Sequence, residues 1–395
     1  MIVGVLGFRF DHYSYVRNII GKVPGVEYCK TKDLYARKNA LAHLVNRWVK
    51  REVLQTFDIN HQFNDFGLNK VDLLHLYNGI SYGRTPWVST FETILPRFTK
   101  VVEATHGADP EFISDQKILK GMKALAGSPC KRLIAMSECS ATMQRALLAG
   151  FDRFGEKIVS KLIVMHPSQE LLLSNFKDKS LDLNGRINFM FVGNAFFRKG
   201  GREIIETFKG LREQFNYDIG LIIVSDMRLD GYAASATQED VQTASDFIGE
   251  NRAWISYYKH LSNADTLEMM KRVHVGLLPT YADSYGYSVL EFQACGCPVI
   301  TTNVRALPEI NDNEKGWLIE VPKNRLGEAI YTTKPDRMAI SSAIRKGLEN
   351  AVQQIFTDRS AIQSKAEKSL LSVKLHHSRE NFAAQMTNIY RDALD

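Results

Sequence analysis

One stretch, residues 273–310, constrains the fold of this 395-residue chain more than any other. Its apolar start at residues 273–278 predicts the end of a buried strand. A loop follows, and from Tyr287 the apolar residues fit a short helix that ends at Gly296. Residues 299–302 then predict the next strand. The loop therefore lies between a strand and a helix of an α/β unit, which is where open parallel sheets bind ligands.

Two carboxylates frame this loop, and the region between them suits an anion. Asp283 precedes the helix, and Glu291 lies inside it after seven intervening residues. Backbone amides at a helix start favour an anion such as a diphosphate, and Gly286 lets a ligand approach the backbone closely. The carboxylates repel phosphate and suit hydroxyl groups instead. A ligand with a central diphosphate and hydroxylated sugars at both ends, a nucleotide sugar, satisfies both conditions.

This stretch closely resembles the donor-site signature of the family 4 retaining glycosyltransferases, which have the GT-B fold. That signature is an acidic residue, seven residues, a Glu, and a helix that ends in Ala-x-Gly-x-Pro before a strand. Here it runs from Asp283 through Glu291 to Pro298. The first acid is usually Glu in the family, and Asp283 is one methylene shorter. The alternative is that two acids coincide at this spacing on a solvated loop and helix.

The resemblance implies an α/β architecture of two Rossmann-like domains that face each other across a cleft. The N-terminal, acceptor-binding domain would span residues 1–170, and the donor-binding domain residues 171–375. Residues 376–395 would form a last helix that crosses back to the first domain. The polar run at residues 174–186 is the best candidate for a linker.

A second element of the signature lies after the apolar run at residues 187–193. The family has a strand, a Gly-Arg pair, a short loop and a Lys-Gly pair. Lys199 and Gly200 match the last pair, Asn194 replaces the family's Arg, and Arg198 is expected to supply that charge. A Lys beside a helix start neutralises a leaving diphosphate. The alternative is a surface lysine without a catalytic role.

The resemblance implies a role for each matching residue. The expected catalytic residues are Lys199, Arg198, Asp283 and Glu92. Asp283 would hold a hydroxyl of the donor sugar, and Glu291 would hold the ribose. The expected donor-binding residues are Gly193, Asn194, Tyr258, Tyr285, Gly286, Tyr287, Ser288 and Glu291. The expected acceptor-binding residues are Phe8 and His106. Glu92 stands where the family commonly has His. The alternative interpretation of Glu92 is a loop acid that contacts a nearby basic residue.

Composition and charge exclude some other classes of protein. A hydrophobic content of 45% with 24% charged residues is typical of a globular chain. No apolar run reaches the ~18 residues of a membrane-spanning helix, and the start of the chain does not read as a signal peptide. The net charge of +6 suggests a polyanionic partner, but no nucleic-acid motif accompanies it.

The five cysteines are odd in number and scattered, which indicates a reducing compartment. We therefore expect a cytoplasmic protein. Cys295 and Cys297 flank a glycine, but no second Cys or His pair stands nearby at metal-ligand spacing. Small residues at a helix end are the preferred interpretation. Because the chain also lacks an Asp-x-Asp pair, we expect neither a metal nor a cofactor.

Residues 30–56 predict a basic amphipathic helix that contains a Trp. Apolar residues recur at helical spacing at Leu41, Leu44, Val45, Trp48 and Val49. Seven basic residues, set against two acids, are Lys30, Lys32, Arg37, Lys38, Arg47, Lys50 and Arg51. Such a segment suits an anionic membrane surface or a lipid pyrophosphate acceptor. An ordinary domain helix with a solvated basic face is the alternative.

We therefore expect a metal-independent glycosyltransferase that uses a UDP- or GDP-linked sugar and retains the anomeric configuration. Its acceptor would be a glycan or a lipid-linked sugar in bacterial-type polysaccharide or glycolipid assembly, at the inner face of the cell membrane. Two alternatives stay open. One is a nucleotide-sugar epimerase or sugar phosphorylase of the same fold, and the other is a non-catalytic relative that binds sugar.

Overall fold

A computed structural model describes residues 1–112 and 114–395, which form two compact units. Unit 1 comprises Met1–Thr105, Pro110–Ser168 and Arg379–Asp395. Unit 2 comprises His106–Asp109 and Gln169–Ser378.

The interpretation of residues 174–186 as a linker is wrong, because this segment lies inside unit 2. It contains a 3-10 turn, Phe176–Lys179, that Asn175 caps. Phe176 and Lys179 are both buried. The polar composition of the segment concealed these two anchoring side chains.

Unit 1 is built on a six-stranded parallel sheet. Its strands are β1 (Ile2–Leu6), β2 (Glu27–Thr31), β4 (Leu73–Tyr77), β6 (Trp87–Phe91), β7 (Cys130–Ala135) and β8 (Leu162–Val164), in the order β2-β1-β4-β6-β7-β8. A separate two-stranded pair consists of β3 (Gln62–Phe63) and β5 (Ile80–Ser81). The central strands are buried along their whole length, as parallel strands covered on both faces are.

Eight helices of unit 1 surround these strands in the described part of the chain. They are α1 (Tyr13–Asn18), α2 (Leu34–Val49), α3 (Thr56–Ile59), α4 (Thr99–Glu103), α5 (Gln116–Ala126), α6 (Glu138–Leu148), α7 (Asp152–Val159) and α15 (Arg379–Asp392). Ser137 caps α6 by accepting the Ser140 N–H at 3.0 Å, a role for which Ser is strongly preferred.

Helix α15 completes the core of unit 1 although it is more than 200 residues away in sequence. Its buried Phe382, Met386 and Tyr390 share a cluster with Leu73 and Val88 of the sheet. Burying each large apolar side chain contributes about 1.5–3 kcal/mol. The Tyr390 hydroxyl also lies 2.6 Å from Nδ1 of the buried His75. The predicted return of the last helix to the first unit is therefore present.

Unit 2 repeats the architecture with a second six-stranded parallel sheet. Its strands are β9 (Ile187–Val192), β10 (Ile219–Val224), β11 (Ile255–Tyr258), β12 (Val275–Leu278), β13 (Val299–Thr302) and β14 (Trp317–Ile319), in the order β11-β10-β9-β12-β13-β14. Its helices are α8 (Gly201–Phe215), α9 (Gln238–Glu250), α10 (Asn263–Met270), α11 (Tyr287–Ala294), α12 (Leu307–Ile310), α13 (Lys334–Thr357) and α14 (Ser360–His376).

The strand order of each sheet reverses once, and this reversal positions the sites. In unit 2 the chain runs outward from β9 to β11, then returns to pair β12 with the other side of β9. The loops after β9 and β12 therefore diverge at the carboxyl edge, the topological switch point at which doubly wound sheets bind ligands. In unit 1 the same reversal lies between β1 and β4.

Within the described residues, no helix is both long and apolar enough to cross a membrane.

Candidate active site

The switch point of unit 2 brings together two of the predicted catalytic residues. Lys199, from the loop after β9, places Nζ 3.2 Å from Oδ2 of Asp283, from the loop after β12. Both side chains are mostly buried. Burial alone would raise the pKa of Asp283, but the positive charges of Lys199 and Arg198 outweigh it and lower that pKa. The pair is therefore a charged cation–carboxylate contact.

Gly193 directly follows β9 and lies beneath the Lys199 side chain. A Cβ at this position would collide with Lys199 Cδ. The glycine therefore lets the lysine lie flat over the strand end and reach Asp283. A larger residue would displace the amine, which explains why the sequence has glycine there.

The start of α11 is shaped by Gly286 and Asp283. Gly286 has φ +93°, a left-handed conformation that favours glycine, and a Cβ there would collide with Leu307. Asp283 Oδ1 accepts the amides of Gly286 at 3.0 Å and Tyr285 at 3.3 Å. The sequence analysis predicts that amides at this helix start bind a diphosphate, whereas the amides of Tyr285 and Gly286 donate to Asp283 here. A short Asp side chain readily bonds amides two and three residues onward.

Arg198 lies beside this pair, held from two directions. Its Nε lies 2.6 Å from Asp230 Oδ2, and one terminal nitrogen donates to the Ala282 carbonyl. Its backbone carbonyl accepts the Tyr281 N–H at 2.8 Å. The guanidinium also lies over the Tyr232 ring, 5.8 Å from the ring centroid. Arg198 is thus fixed next to the loop that carries Asp283.

Behind Arg198 lies a polar network, here named the tyrosine cluster: Tyr232, Tyr331, Arg305, Glu328 and His106. The Tyr232 hydroxyl lies 2.9 Å from Arg305 and 2.9 Å from the Tyr331 hydroxyl. Arg305 pairs with the buried Glu328, which also accepts the Tyr331 hydroxyl at 2.9 Å. This network supports the ring on which Arg198 rests.

His106, a predicted acceptor-binding residue, belongs to the tyrosine cluster of unit 2. Its ring centroid lies 5.6 Å from those of Tyr232 and Tyr331. Its Nε2 lies 3.4 Å from the Tyr232 hydroxyl. The next residue, Gly107, is held through its carbonyl by the Asn324 amide at 2.7 Å.

The other predicted donor-binding residues lie along the same edge of unit 2. Ser288 and Glu291 are half-buried on α11, one turn apart, and Tyr287 is likewise half-buried. The Asn194 carbonyl accepts the Arg228 N–H at 3.0 Å, which fixes the loop after β9. Tyr258, the last residue of the edge strand β11, is partly exposed.

Two predicted site residues lie in unit 1. Glu92 follows β6 and accepts a hydrogen bond from the Tyr77 hydroxyl, and its backbone N–H donates to Asn78 Oδ1 at 3.0 Å. Phe8 follows β1 and is exposed, with the Arg9 guanidinium 5.4 Å from its ring centroid. Both residues lie at the carboxyl edge of their sheet. Glu92 is thus held by a tyrosine.

Sequence reasoning missed Asp230 and every member of the tyrosine cluster except His106. Asp230 and Tyr232 lie in the long connection between β10 and α9, where no periodic pattern guides prediction. An Asp-Gly pair at residues 230–231 predicts a turn and nothing about a contact with Arg198. Among the side chains that the structure describes, no group of three or more His, Cys, Asp or Glu residues is placed to hold a metal.

Comparison with solved structures identifies the fold. A glycosyltransferase from Rickettsia africae ESF-5 superposes with a TM-score of 0.57 at 13% identity, covering 100% of this chain and 98% of that one. An Anabaena protein solved in complex with UDP superposes with a TM-score of 0.54 at 15% identity, covering 92% and 85%. Together with the two parallel sheets, these neighbours make this chain a protein of the GT-B fold, which confirms the predicted fold class.

Sequence comparison matches residues 174–347 to the family described as Glycosyl transferases group 1. The O-antigen chain mannosyltransferase B of Escherichia coli is 24% identical over 204 residues, which cover 51% of this chain and 45% of that protein. The chain spans less than half the length of the first curated relatives that it matches.

Proposed function

We propose that this protein is a glycosyltransferase that moves a sugar from a nucleotide-diphosphate donor, UDP- or GDP-linked, to an acceptor hydroxyl with retention of configuration. The observation that carries the proposal is the contact between Lys199 and Asp283 at the switch point of the second sheet. A cation and a carboxylate side by side suit a ligand that presents phosphate to one and sugar hydroxyls to the other.

The proposed roles follow from the chemistry of each group. A diphosphate carries more charge than one carboxylate, so Lys199 would turn from Asp283 toward it and stabilise the charge that develops on the leaving group. Arg198 would add to that positive field. Asp283 would then accept a hydroxyl of the donor sugar, while its bonds to the amides just before α11 keep it in place. Glu291 would accept the ribose hydroxyls.

We propose that no divalent cation takes part. Lys199 and Arg198 supply the positive charge that a bridging metal would otherwise supply. Activity is therefore expected to survive EDTA. Complete loss of activity with EDTA, restored by Mg²⁺ or Mn²⁺, would contradict this assignment.

For the acceptor, we propose a glycan or a lipid-linked sugar in polysaccharide or glycolipid assembly. Glu92 and Phe8, at the carboxyl edge of the unit 1 sheet, are the proposed acceptor contacts. His106 is kept as a further candidate. The similarity to the O-antigen chain mannosyltransferase B of Escherichia coli supports this class of acceptor.

We also propose that α2 docks on an anionic membrane surface. Its apolar residues at positions i, i+3 and i+7 face solvent: Leu41 is 61% exposed, Leu44 63% and Trp48 87%. Only Tyr35 and Ala42 of this helix are buried among its described residues. An exposed apolar stripe of this kind marks an interaction site.

Charges and a neighbouring loop extend this stripe. The exposed basic residues of the segment around it are Arg37, Lys38, Arg47, Lys50 and Arg51. The exposed Val53 and Leu54 are tied to the helix by Asn46, whose side chain bonds both of their amides at 2.9–3.0 Å. A stripe that mixes cations with apolar side chains suits the headgroup region of an anionic leaflet. We name these residues, with Leu41, Leu44 and Trp48, the α2 surface.

A panel of nucleotide sugars tests the proposed transfer. The matching donor should raise the melting temperature of the wild-type protein by mass action. Lys199→Met should lose most of this shift and most of the transfer activity. Arg252→Met removes an exposed cation of the same unit and should change neither. Failure of every UDP- and GDP-sugar to stabilise the protein would overturn the proposal.

Product analysis separates the alternatives. A transferase releases nucleoside diphosphate only in proportion to acceptor glycosylated, whereas an epimerase converts its nucleotide sugar without an acceptor. A phosphorylase would instead require inorganic phosphate. A relative that only binds sugar would show the thermal shift and no turnover with any acceptor.

A further inference from the structure

A buried amine and a buried thiol lie against each other at the carboxyl end of α11, the end opposite to the candidate active site. Lys179 is 5% exposed and Cys297 is 0% exposed. Nζ of Lys179 lies 2.8 Å from Sγ of Cys297. Neither residue has a part in the proposed transfer of sugar.

The amine is held in this position by two helix ends. Nζ donates to the carbonyl oxygen of Met270, the last residue of α10, at 3.1 Å. It also donates to the carbonyl oxygen of Cys295, just beyond α11, at 3.0 Å. These carbonyls carry the partial negative charge of helix carboxyl ends. Lys179 therefore cannot move away from the sulfur without losing two hydrogen bonds.

The thiol is oriented as well. Sγ of Cys297 lies 3.0 Å from the Met270 carbonyl and 3.3 Å from the Val273 carbonyl, so its hydrogen points to a carbonyl oxygen. The lone pairs of the sulfur are then directed to other neighbours, including Lys179. The 2.8 Å between nitrogen and sulfur is as short as an ordinary N–H···O bond, although sulfur is the larger atom.

We propose that Lys179 and Cys297 form an oxidation site at which one oxygen atom bridges Nζ and Sγ. In the net reaction with dioxygen, one N–H and the S–H bond break, and an N–O and an O–S bond form. The two hydrogens leave with the second oxygen atom as water. Nitrogen and sulfur are oxidised, and dioxygen is fully reduced. A bent N–O–S linkage spans about the separation that the two atoms already have.

The surroundings favour this product over ordinary cysteine oxidation. Sulfenic and sulfinic acids form at exposed thiolates, whereas Cys297 is buried. Burial raises the pKa of its thiol, and the nearby Lys179 opposes that rise only in part. Dioxygen, a small apolar molecule, enters packed interiors more readily than a charged oxidant, and Lys179 is the side chain bonded to the sulfur.

The bridge would join two segments that are far apart in sequence. Lys179 ends the turn Phe176–Lys179, and Cys297 follows the helix that carries Glu291. An oxidised chain would hold α11 at its carboxyl end by a covalent link as well as by packing. This inference does not depend on the proposed function.

Peptide mass spectrometry tests the site. The full-length protein is equilibrated with air-saturated buffer without reductant, alkylated and digested with trypsin. Trypsin should no longer cut after Lys179, and its peptide should be joined to the peptide that contains Cys297. The joined mass should be the sum of both peptides plus one oxygen minus two hydrogens. Dithiothreitol should release the two peptides.

Three variants make the assignment specific. Cys297→Ala and Lys179→Arg should both abolish the joined species, and circular dichroism with thermal melts establishes that each variant is folded. Because Lys179→Arg keeps the positive charge, it separates loss of the amine from loss of charge. Cys295→Ser should leave the joined species intact.

Other products would overturn the proposal. Cys297 could remain a free thiol that reacts with the alkylating reagent after incubation in air. It could instead be oxidised to a sulfenic or sulfinic acid with no link to Lys179, or it could form a disulfide with Cys295. Fragmentation of the peptide that holds both cysteines distinguishes them.

Discussion

Lys199 Nζ and Asp283 Oδ2 lie 3.2 Å apart, although their residues come from loops on opposite sides of the reversal in the second sheet. The contact joins the loop after β9 to the loop after β12. It holds the Lys199 amine at the position at which we propose that the donor diphosphate binds. The same contact keeps the pKa of Asp283 below its ordinary value against the effect of burial.

A double-mutant cycle should detect this contact as a coupling energy. Lys199→Met and Asp283→Asn should each destabilise unit 2, and together they should cost less than the sum, because each single change leaves one buried charge unpaired. We expect a coupling of about 0.5–3 kcal/mol from urea unfolding. Additivity within about 0.5 kcal/mol would show that the two charges do not interact in solution.

Replacing Glu291 should weaken binding of the donor. Loss of a charge-assisted hydrogen bond costs about 1.5–3 kcal/mol, so Glu291→Ala should raise the Kd for the donor roughly tenfold or more. Titration calorimetry measures this Kd. Glu239→Ala, on the exposed start of α9, is the matched control and should leave the Kd unchanged. A folded Glu291→Ala protein with wild-type affinity would refute the ribose assignment.

Two substitutions at Tyr232 should distinguish the contribution of its hydroxyl from the contribution of its ring. Tyr232→Phe removes the bonds to Arg305 and Tyr331 but keeps the ring beneath Arg198, so it should lower stability by about 1–3 kcal/mol with little change in kcat. Tyr232→Leu also removes the ring and should lower kcat as well. Steady-state kinetics and thermal melts compare the two. An equal loss of kcat in both variants would mean that the hydroxyl positions Arg198.

The α2 surface should bind anionic vesicles. Co-sedimentation should increase with the anionic lipid content and decrease with salt, because each basic residue near the surface contributes about 1 kcal/mol. Changing Arg47, Lys50 and Arg51 to Ser should weaken this binding and leave donor binding intact.

The control for that experiment removes equal charge elsewhere. The exposed residues Arg252, Arg272 and Lys374 of unit 2, changed to Ser, should leave vesicle binding close to wild type. A wild-type protein that ignores anionic vesicles at low salt would identify α2 as an ordinary domain helix. An equal loss in both triple variants would show that net charge, and not the α2 surface, drives the binding.

Acid should destabilise unit 1 through two buried histidines. Burial lowers the pKa of His75 and of His61 to about 3, from an ordinary value near 6.5. Between about pH 3 and pH 6.5, both histidines are neutral in the folded protein, whereas the same histidines bind protons in the unfolded chain. Their contribution to stability is thus complete above pH ~6.5 and is lost as the pH falls toward 3, by up to about 1.4 kcal/mol per pH unit for each histidine.

Hydrogen exchange of β4 and β6 peptides at pH 7, 6 and 5, corrected for intrinsic rates, reports this loss. His75→Gln should flatten the pH dependence, because the amide cannot be protonated. His43→Gln, at an exposed position of α2, should leave it unchanged. A wild-type protein whose unit 1 stability does not vary over this range would show that these histidines are not buried neutral.

Elements with a strong local pattern could be predicted from sequence. The helix from Tyr287 and the cap at Ser137 agree with the structure because neighbouring residues determine them. The strand end before Gly193 was predicted for the same reason. The exposure of Trp48 could not be predicted, because periodicity identifies an apolar face without showing what covers it.

The candidate site was predictable only where it follows a sequential motif. Lys199 and Asp283 were both named from motifs, but a sequence gives no distance between them. Asp230 contacts Arg198, and His106 contacts Tyr232. The two residues of each pair are at least 32 positions apart in the sequence, so no local pattern indicates these contacts. The bonds from the Tyr285 and Gly286 amides to Asp283 could have been predicted, because an Asp so close to a helix start commonly accepts such amides.

The position of Tyr390 in the core of unit 1 sets an order for folding during synthesis. All the residues of unit 2, which end at Ser378, leave the ribosome before Tyr390 does. Unit 1, most of which is translated first, is therefore the unit whose core is completed last. Until α15 emerges, the nascent sheet keeps an uncovered apolar face over Leu73 and Val88. A nascent chain in this state exposes the kind of surface that chaperones bind, and it does so for most of its translation.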